Sequence, residues 1–363
     1  MNVGLLSEGF NAKSQSFGGS IYLMQLGDRL RERGLEVSVF TPSGGRMKGL
    51  SAGASESLPT FLPTFKPTKV LMLNKLLLKS ADLFKSIDII HSISWSSLPS
   101  LHLIAKHSRC SLHFIFDCRT ALLNVNRSYN VYKLITLRFF KPDHLIFCDS
   151  KSLSDYKFAF SGEGVTHIPT PVDTDKFKGE CRRHTSGEFK ILFASSLSRE
   201  KGVLDLLRSV EHSRQFHSKL ELIIAGDGPL RNAILDLAAK KEWLKYLGPV
   251  DHSKMPSLLN SVDLVAHPSH FEGLSRAVLE AMACEVPVIT TNVGDHFSLK
   301  DVVRLIPPSS PNILSKEILC MLENEDERKR YGREGRRYVE ANNSWNKAIH
   351  RIIAVYEFLL RHD

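Results

Sequence analysis

Short apolar runs alternate along the chain with longer stretches whose apolar positions recur every three or four residues. The first half holds six strand-like runs: VGLL (3–6), EVSVF (36–40), DIIHS (88–92), LHFIF (112–116), HLIFC (144–148) and VTHI (165–168). Between the first two, Tyr22, Leu23, Leu26 and Leu30 keep helical spacing, and Gly34 ends the pattern. The second half repeats the rhythm with KILFA (190–194), LELIIAG (220–226), KYLG (245–248), VDLVAH (262–267) and PVITT (287–291). Segments 202–215, 229–241, 253–260 and 273–284 read as helices. Strands alternating with helices predict an α/β fold, with parallel sheets covered on both faces.

Residues 169–188 break the rhythm with proline, glycine and charge, which predicts a linker. The expected domains are therefore 1–168 and 169–344. Residues 311–363 read as helical, with a break near Asn342–Ser344, where Ser344 can cap a last helix from Trp345 (345–363). Segment 69–84 is apolar with Lys69, Lys75 and Lys79 interspersed. It reads either as a core helix or as a basic surface helix that meets lipid.

Composition narrows the class. With 363 residues, 42% hydrophobic and 24% charged, the chain can bury two cores, and it is neither disordered nor collagen-like. No window reaches ~18 uninterrupted apolar residues, so no membrane-spanning helix is expected. The opening MNVGLLSEGF reads as a first strand and not as a signal peptide. The six cysteines show neither C-x-x-C nor zinc spacing. Reduced thiols, a cytoplasmic location and no metal site are the expectation.

Charge adds one asymmetry. Residues 1–165 carry 20 Lys and Arg against 12 Asp and Glu, a net of +8, while residues 166–363 carry 28 against 27. The first half should meet something anionic, such as a phosphate-bearing substrate or an anionic membrane surface. Its basic residues are not interleaved with aromatics and no recognition motif appears, so nucleic acid is not the expected partner.

The chemistry concentrates in residues 262–294. A strand ends at His267-Pro268-Ser269, a loop carries Glu272-Gly273-Leu274-Ser275, and a helix follows with Glu280 about two turns in. Unsatisfied N–H groups at such a helix start suit an anion, especially a diphosphate. The string PSHFEGLSRAVLEAMACEVPV resembles the signature of the GT4-type retaining glycosyltransferases of GT-B fold, in which seven residues separate two glutamates. SLSREKGV (196–203), GDGPL (226–230), LGPV (247–250), IPTPVDTDKF (168–177) and SFGGS (16–20) resemble further elements of that family, in order.

The resemblance implies two doubly wound, Rossmann-like domains facing a central cleft, with the last helix crossing back onto the first domain. The second domain would bind a nucleotide diphosphate sugar, UDP-linked or GDP-linked, as co-substrate. The first would bind a glycan or lipid-linked acceptor, and the protein could touch the cytoplasmic membrane face. Glu280 would bind the ribose, Glu272 the donor sugar, and Arg199 and Lys201 the diphosphate, so that no metal and no other cofactor is required. The amides of Gly273, Leu274 and Ser275 would face the phosphates. Gly18, Gly19, Gly226 and Gly248 would line the donor site.

Asp117 ends a first-half strand and is expected either to orient or deprotonate the acceptor hydroxyl, or to serve as a cap or an ion-pair partner of Arg119. His91 and His113 read mainly as structural. Two departures from the family pattern stand out: Glu285 replaces a glycine after the Glu280 helix, and IPTPVD replaces IPNGVD. The rival readings are an epimerase or phosphorylase of the same fold, and a non-catalytic module that binds an anionic ligand or nucleic acid.

Overall fold

The computed structural model describes residues 1–6, 18–43, 46–50, 74–75, 77–79, 81–93, 95–107, 112–118, 127–159, 164–180 and 187–361. These form two compact units, Met1–Pro169 with Ala348–Asp363, and Thr170–Lys347.

The first unit is built on a seven-stranded sheet. Its strands are β1 (Asn2–Leu6), β2 (Glu36–Ser43), β3 (Arg46–Leu50), β4 (Ile89–Ser92), β5 (His113–Cys118), β6 (His144–Phe147) and β7 (Val165–His167). The order is β3-β2-β1-β4-β5-β6-β7, and all neighbours run parallel except the β2–β3 pair. The described helices are α1 (Gly18–Arg31), α2 (Leu98–His107), α3 (Arg127–Phe139) and α4 (Ser150–Ala159). β1, β4 and β6 are apolar and buried almost throughout, as strands covered on both faces must be.

The second unit has six strands: β8 (Phe189–Ala194), β9 (Leu220–Ala225), β10 (Leu244–Gly248), β11 (Leu264–His267), β12 (Val288–Thr291) and β13 (Arg304–Ile306). Their order, β10-β9-β8-β11-β12-β13, is all parallel and doubly wound, with the chain reversing its direction of travel between β8 and β11. The helices are α5 (Val203–Ser213), α6 (Arg231–Ala238), α7 (Met255–Asn260), α8 (Arg276–Ala283), α9 (Pro311–Glu323) and α10 (Glu325–Asn342). In α5, Val203, Leu206, Leu207 and Val210 are buried at helical spacing and seat the helix on the sheet.

The last helix, α11 (Trp345–Arg361), follows Ser344, whose Oγ accepts from Lys347 N at 3.5 Å. From Ala348 on it belongs to the first unit. Ile349, Ile352 and Tyr356 are fully buried there, and the Tyr356 hydroxyl meets His91 Nδ1 at 2.7 Å.

The structure adds two strands that the pattern missed. β3 pairs antiparallel behind a hairpin, and β13 has three residues, too few for a periodicity to register. The helical stretch from 311 also breaks earlier than expected. Asn324 accepts from Glu327 N at 3.0 Å and so caps α10. Of segment 69–84, residues 69–73 lie outside the described residues, and Ala81–Phe84 form a 3-10 turn with Phe84 buried.

Candidate active site

The reversal between β8 and β11 decides where a site can form. The loops leaving the carboxyl ends of these two strands diverge and open a crevice, the usual ligand position in an open α/β sheet. After β8 the chain makes a 3-10 turn, Arg199–Lys201, closed by Gly202 at φ +70°. A Cβ on Gly202 would lie 1.9 Å from the Pro268 carbonyl oxygen, so only glycine fits. The loop after β11 is pinned to this turn: His270 N donates to Glu200 O at 2.7 Å, and Ser269 Oγ donates to the same oxygen at 3.1 Å.

This pinning brings together side chains 71 positions apart. Lys201 Nζ lies 2.5 Å from Glu272 Oε1. His267, at the end of β11 and 1% exposed, donates from Nε2 to the same oxygen at 3.0 Å. Burial raises the Glu272 pKa, but His267 and Lys201 together outweigh it and hold the carboxyl at about 2. Glu272 is therefore a fixed anion, and its Oε2 has no partner among the described residues. The Arg199 side chain is exposed and makes no hydrogen bond or ion pair among the described residues.

Behind the loop lies a histidine that sequence reasoning did not single out. Ser275 N donates to His296 Nε2 at 3.2 Å, so the His296 proton sits on Nδ1. That nitrogen meets Thr290 Oγ1 at 3.0 Å, and Thr290 Oγ1 donates to the His267 carbonyl at 2.9 Å. Burial lowers the His296 pKa to about 4, which keeps the ring neutral and able to accept. The Ser275 amide is thus spent inside the protein, contrary to its expected place among the phosphate-facing groups. The amides of Gly273 and Leu274 make no hydrogen bond among the described residues. Gly294, at φ +55°, backs this loop; a Cβ there would lie 2.1 Å from Glu272 O.

Glu280, on α8, is 5% exposed. Its Oε1 accepts from His252 Nε2 at 2.8 Å, and the His252 ring lies 5.1 Å from the buried Phe177 ring. A solvated-surface role for Glu280 is thereby excluded.

The glycines separate. Gly226, at φ +143°, turns the chain after β9, and a Cβ would lie 1.9 Å from Ser195 O. Its N–H donates to Gly248 O at 2.8 Å, which ties the ends of β9 and β10. Gly248, at φ +72°, has open space where its Cβ would be. Helix α6 starts at Arg231 behind Leu230, and the Asp227 carboxylate takes Gly228 N at 2.8 Å.

In the first unit, Gly18 and Gly19 open α1, and a Cβ on Gly19 would come within 3.1 Å of Ile93 Cδ1. The loop residues 16–17 before them, and Arg119, lie outside the described residues. Of the two roles expected of Asp117, the contacts in the structure match the structural one. It is 0% exposed, and its Oδ2 accepts from the Tyr22 hydroxyl at 2.7 Å and meets His91 Nε2 at 3.1 Å. It holds α1, β4 and, through His91 and Tyr356, α11 together.

With this geometry in hand, comparison with known proteins is informative. A model of "Glycosyl transferases group 1" matches residues 178–338, and one of "Glycosyltransferase Family 4" matches residues 18–176. Over 160 residues the chain is 32% identical to a glycogen synthase of Mycobacterium tuberculosis, covering 42% of this chain and 38% of that one. The chain spans about two fifths to a half of the length of such curated relatives. Among solved structures, a sucrose-phosphate synthase from Thermosynechococcus elongatus superimposes with a TM-score of 0.83 at 17% identity, covering 100% of both chains. The HepE protein of Anabaena, in complex with UDP and glucose, gives a TM-score of 0.76 at 18% identity, covering 98% of this chain and 99% of that one.

Proposed function

Because the chain belongs to the GT4-type glycosyltransferases and has their GT-B fold, we propose that it moves a hexose from a nucleotide diphosphate sugar to a glycan or lipid-linked acceptor. The observation that carries this reading is the Lys201–Glu272 pair, held at 2.5 Å in the crevice after β8 and β11, with the partnerless Arg199 two residues away. Two cations and a fixed anion in one crevice suit a substrate that is a diphosphate at one end and a polyol at the other.

The geometry supports the following roles. Glu272, ionised and with Oε2 available, accepts hydrogen bonds from the sugar hydroxyls. Glu280 accepts from the ribose, its orientation fixed by His252. Arg199 and Lys201 hold the diphosphate. As the C1–O bond to phosphate breaks, they neutralise the charge that develops on the leaving nucleoside diphosphate, a term worth roughly 10²–10³ per donor group. The acceptor oxygen forms the new bond to C1 on the face the phosphate leaves, and its proton passes to a departing phosphate oxygen. Configuration at C1 is retained. These two cations do what a metal does elsewhere, so the reaction proceeds without one. The donor is UDP-linked, by analogy with the UDP held in the Anabaena HepE structure.

A panel of UDP- and GDP-linked sugars tests this, read by thermal shift and slow donor hydrolysis with EDTA present. Stabilisation by a UDP-sugar, lost in Glu280→Ala and Lys201→Ala, is the expected result. Stabilisation by GDP-sugars alone would correct the base. A folded protein that no nucleotide or nucleotide sugar stabilises would overturn the reading.

A further inference from the structure

Helix α3 buries Leu137, at 3% exposure, in the core of the first unit and still leaves a second apolar stripe facing outward. Its inward positions include Lys133, 0% exposed with Nζ 5.0 Å from the Trp95 ring centroid, and Thr136 at 2%. Its outward positions include Val131 at 55%, Ile135 at 51% and Phe139 at 69% exposure. These three are spaced four apart and form one stripe along the helix. A surface helix ordinarily keeps its outward face polar, and a contiguous exposed apolar strip marks an interaction surface.

The neighbouring helix extends the strip. His102 Nδ1, on α2, meets the Lys141 carbonyl at 3.0 Å, which places α2 beside the carboxyl end of α3. Leu103 is 37% exposed on that helix. The remaining exposed charges there are Lys106, Arg138 and Lys141. Neither helix contains a carboxylate, and residues 95–143 carry seven Lys and Arg against two carboxylates, the fully buried Asp117 and the exposed Asp143, whose Oδ2 accepts from Phe114 N at 2.6 Å.

We propose that this face lies on an anionic lipid bilayer, with the apolar stripe among the acyl chains and the cations at the phosphates. An apolar strip with cations in excess around it is what interfacial binding requires, since apolar burial and attraction to anionic lipid add. A second copy of the chain fits less well, because two such faces would bring cation against cation. This surface is independent of the donor site, so its test and that of the transferase reading fail separately.

The experiment is vesicle flotation with the full chain at low salt. Vesicles of phosphatidylglycerol and phosphatidylcholine in equal parts are compared with phosphatidylcholine alone. The wild type is expected to float with the anionic vesicles only. The double variant Ile135→Glu/Phe139→Glu should bind about tenfold less. Phe216→Glu, an equally exposed aromatic of the second unit, should bind as the wild type does. Should the double variant misfold, Arg138→Glu/Lys141→Glu, which changes charge alone, should lower binding in the same direction. The stabilisation by donor should be the same in every folded variant. A wild type that ignores anionic vesicles, or variants that bind as well as it does, would overturn the proposal. So would a wild-type dimer that the double variant splits while vesicle binding is absent.

Discussion

His252 Nε2 and Glu280 Oε1 stand 2.8 Å apart in the interior of the second unit, 28 residues apart in sequence. A buried carboxylate deprived of its donor costs about 1–3 kcal/mol or more. His252→Leu should therefore lose roughly that much stability in urea unfolding. It should also raise the KM for the donor, because Glu280 is no longer aimed. His252→Gln keeps a donor at similar reach and should recover most of both. Donor binding in His252→Leu equal to that of the wild type would show that the pair is structural alone.

Lys201 and Arg199 should behave differently although the proposed function gives both to the diphosphate. Lys201→Ala removes one of two partners of Glu272, so kcat should fall about 10²–10³-fold and the protein should also lose stability. Arg199→Ala removes an exposed, partnerless side chain. Its stability should stay within about ±0.5 kcal/mol while kcat falls by a similar factor. Steady-state kinetics and urea midpoints on both variants separate the two.

Much of this was legible in the sequence because the information is local. The runs at 190–194, 220–226 and 287–291 are apolar enough to be buried strands, and the strings REKG and EGLS sit just after two of the strands. The partners were not legible. His267 carried one usable signal, its place at the end of a strand beside the glutamate loop. His252 and His296 carried none, since what makes them matter is contact across 28 and 21 residues. Asp117 stayed open between two roles for the converse reason. A strand-end carboxylate looks the same whether it opens to a crevice or takes a tyrosine hydroxyl at 2.7 Å. The outward apolar stripe of α3 was likewise hidden, because periodicity gives a stripe without saying which way it points.

The buried histidines set an acid limit. His296 falls from an ordinary imidazole value of 6.5 to about 4 through burial, and so does His144. Their folded pKa values lie below the unfolded ones, so the unfolded chain takes up these protons first on acidification. The stabilisation is complete above about pH 6.5 and is lost as pH falls toward 4. Glu272, lowered from 4.5 to about 2, acts in a separate window below pH 4.5. Urea midpoints between pH 8 and 4.5 should fall in the wild type. His296→Gln, which cannot titrate but keeps an acceptor for the Ser275 amide, should flatten that slope by the share of one proton. An unchanged slope would mean that the ring already titrates freely.

Glu285 ends α8 in the left-handed conformation, at φ +57°. Its N–H donates to Met282 O at 3.0 Å and the Val286 N–H to Ala281 O at 2.9 Å, the paired bonds of a Schellman cap. Glycine is the usual residue there, and it is the residue the resemblance places there. A side chain in this conformation costs about 1–2 kcal/mol, and an anion at a helix carboxyl end adds a smaller unfavourable term. Arg336 offsets part of this by donating to Ala283 O at 2.6 Å. Glu285→Gly should therefore raise stability by about 1 kcal/mol without changing kinetics. Gly332→Ala probes the same corner from the other side. Its new Cβ would lie 2.3 Å from Glu285 O, so α10 would have to move, at a cost of about 1–3 kcal/mol. Thermal melts of the two variants should shift in opposite directions. A loss of stability in Glu285→Gly would mean that the glutamate side chain, packed where a Cβ on Gly179 would come within 3.1 Å, contributes more than its backbone strain removes.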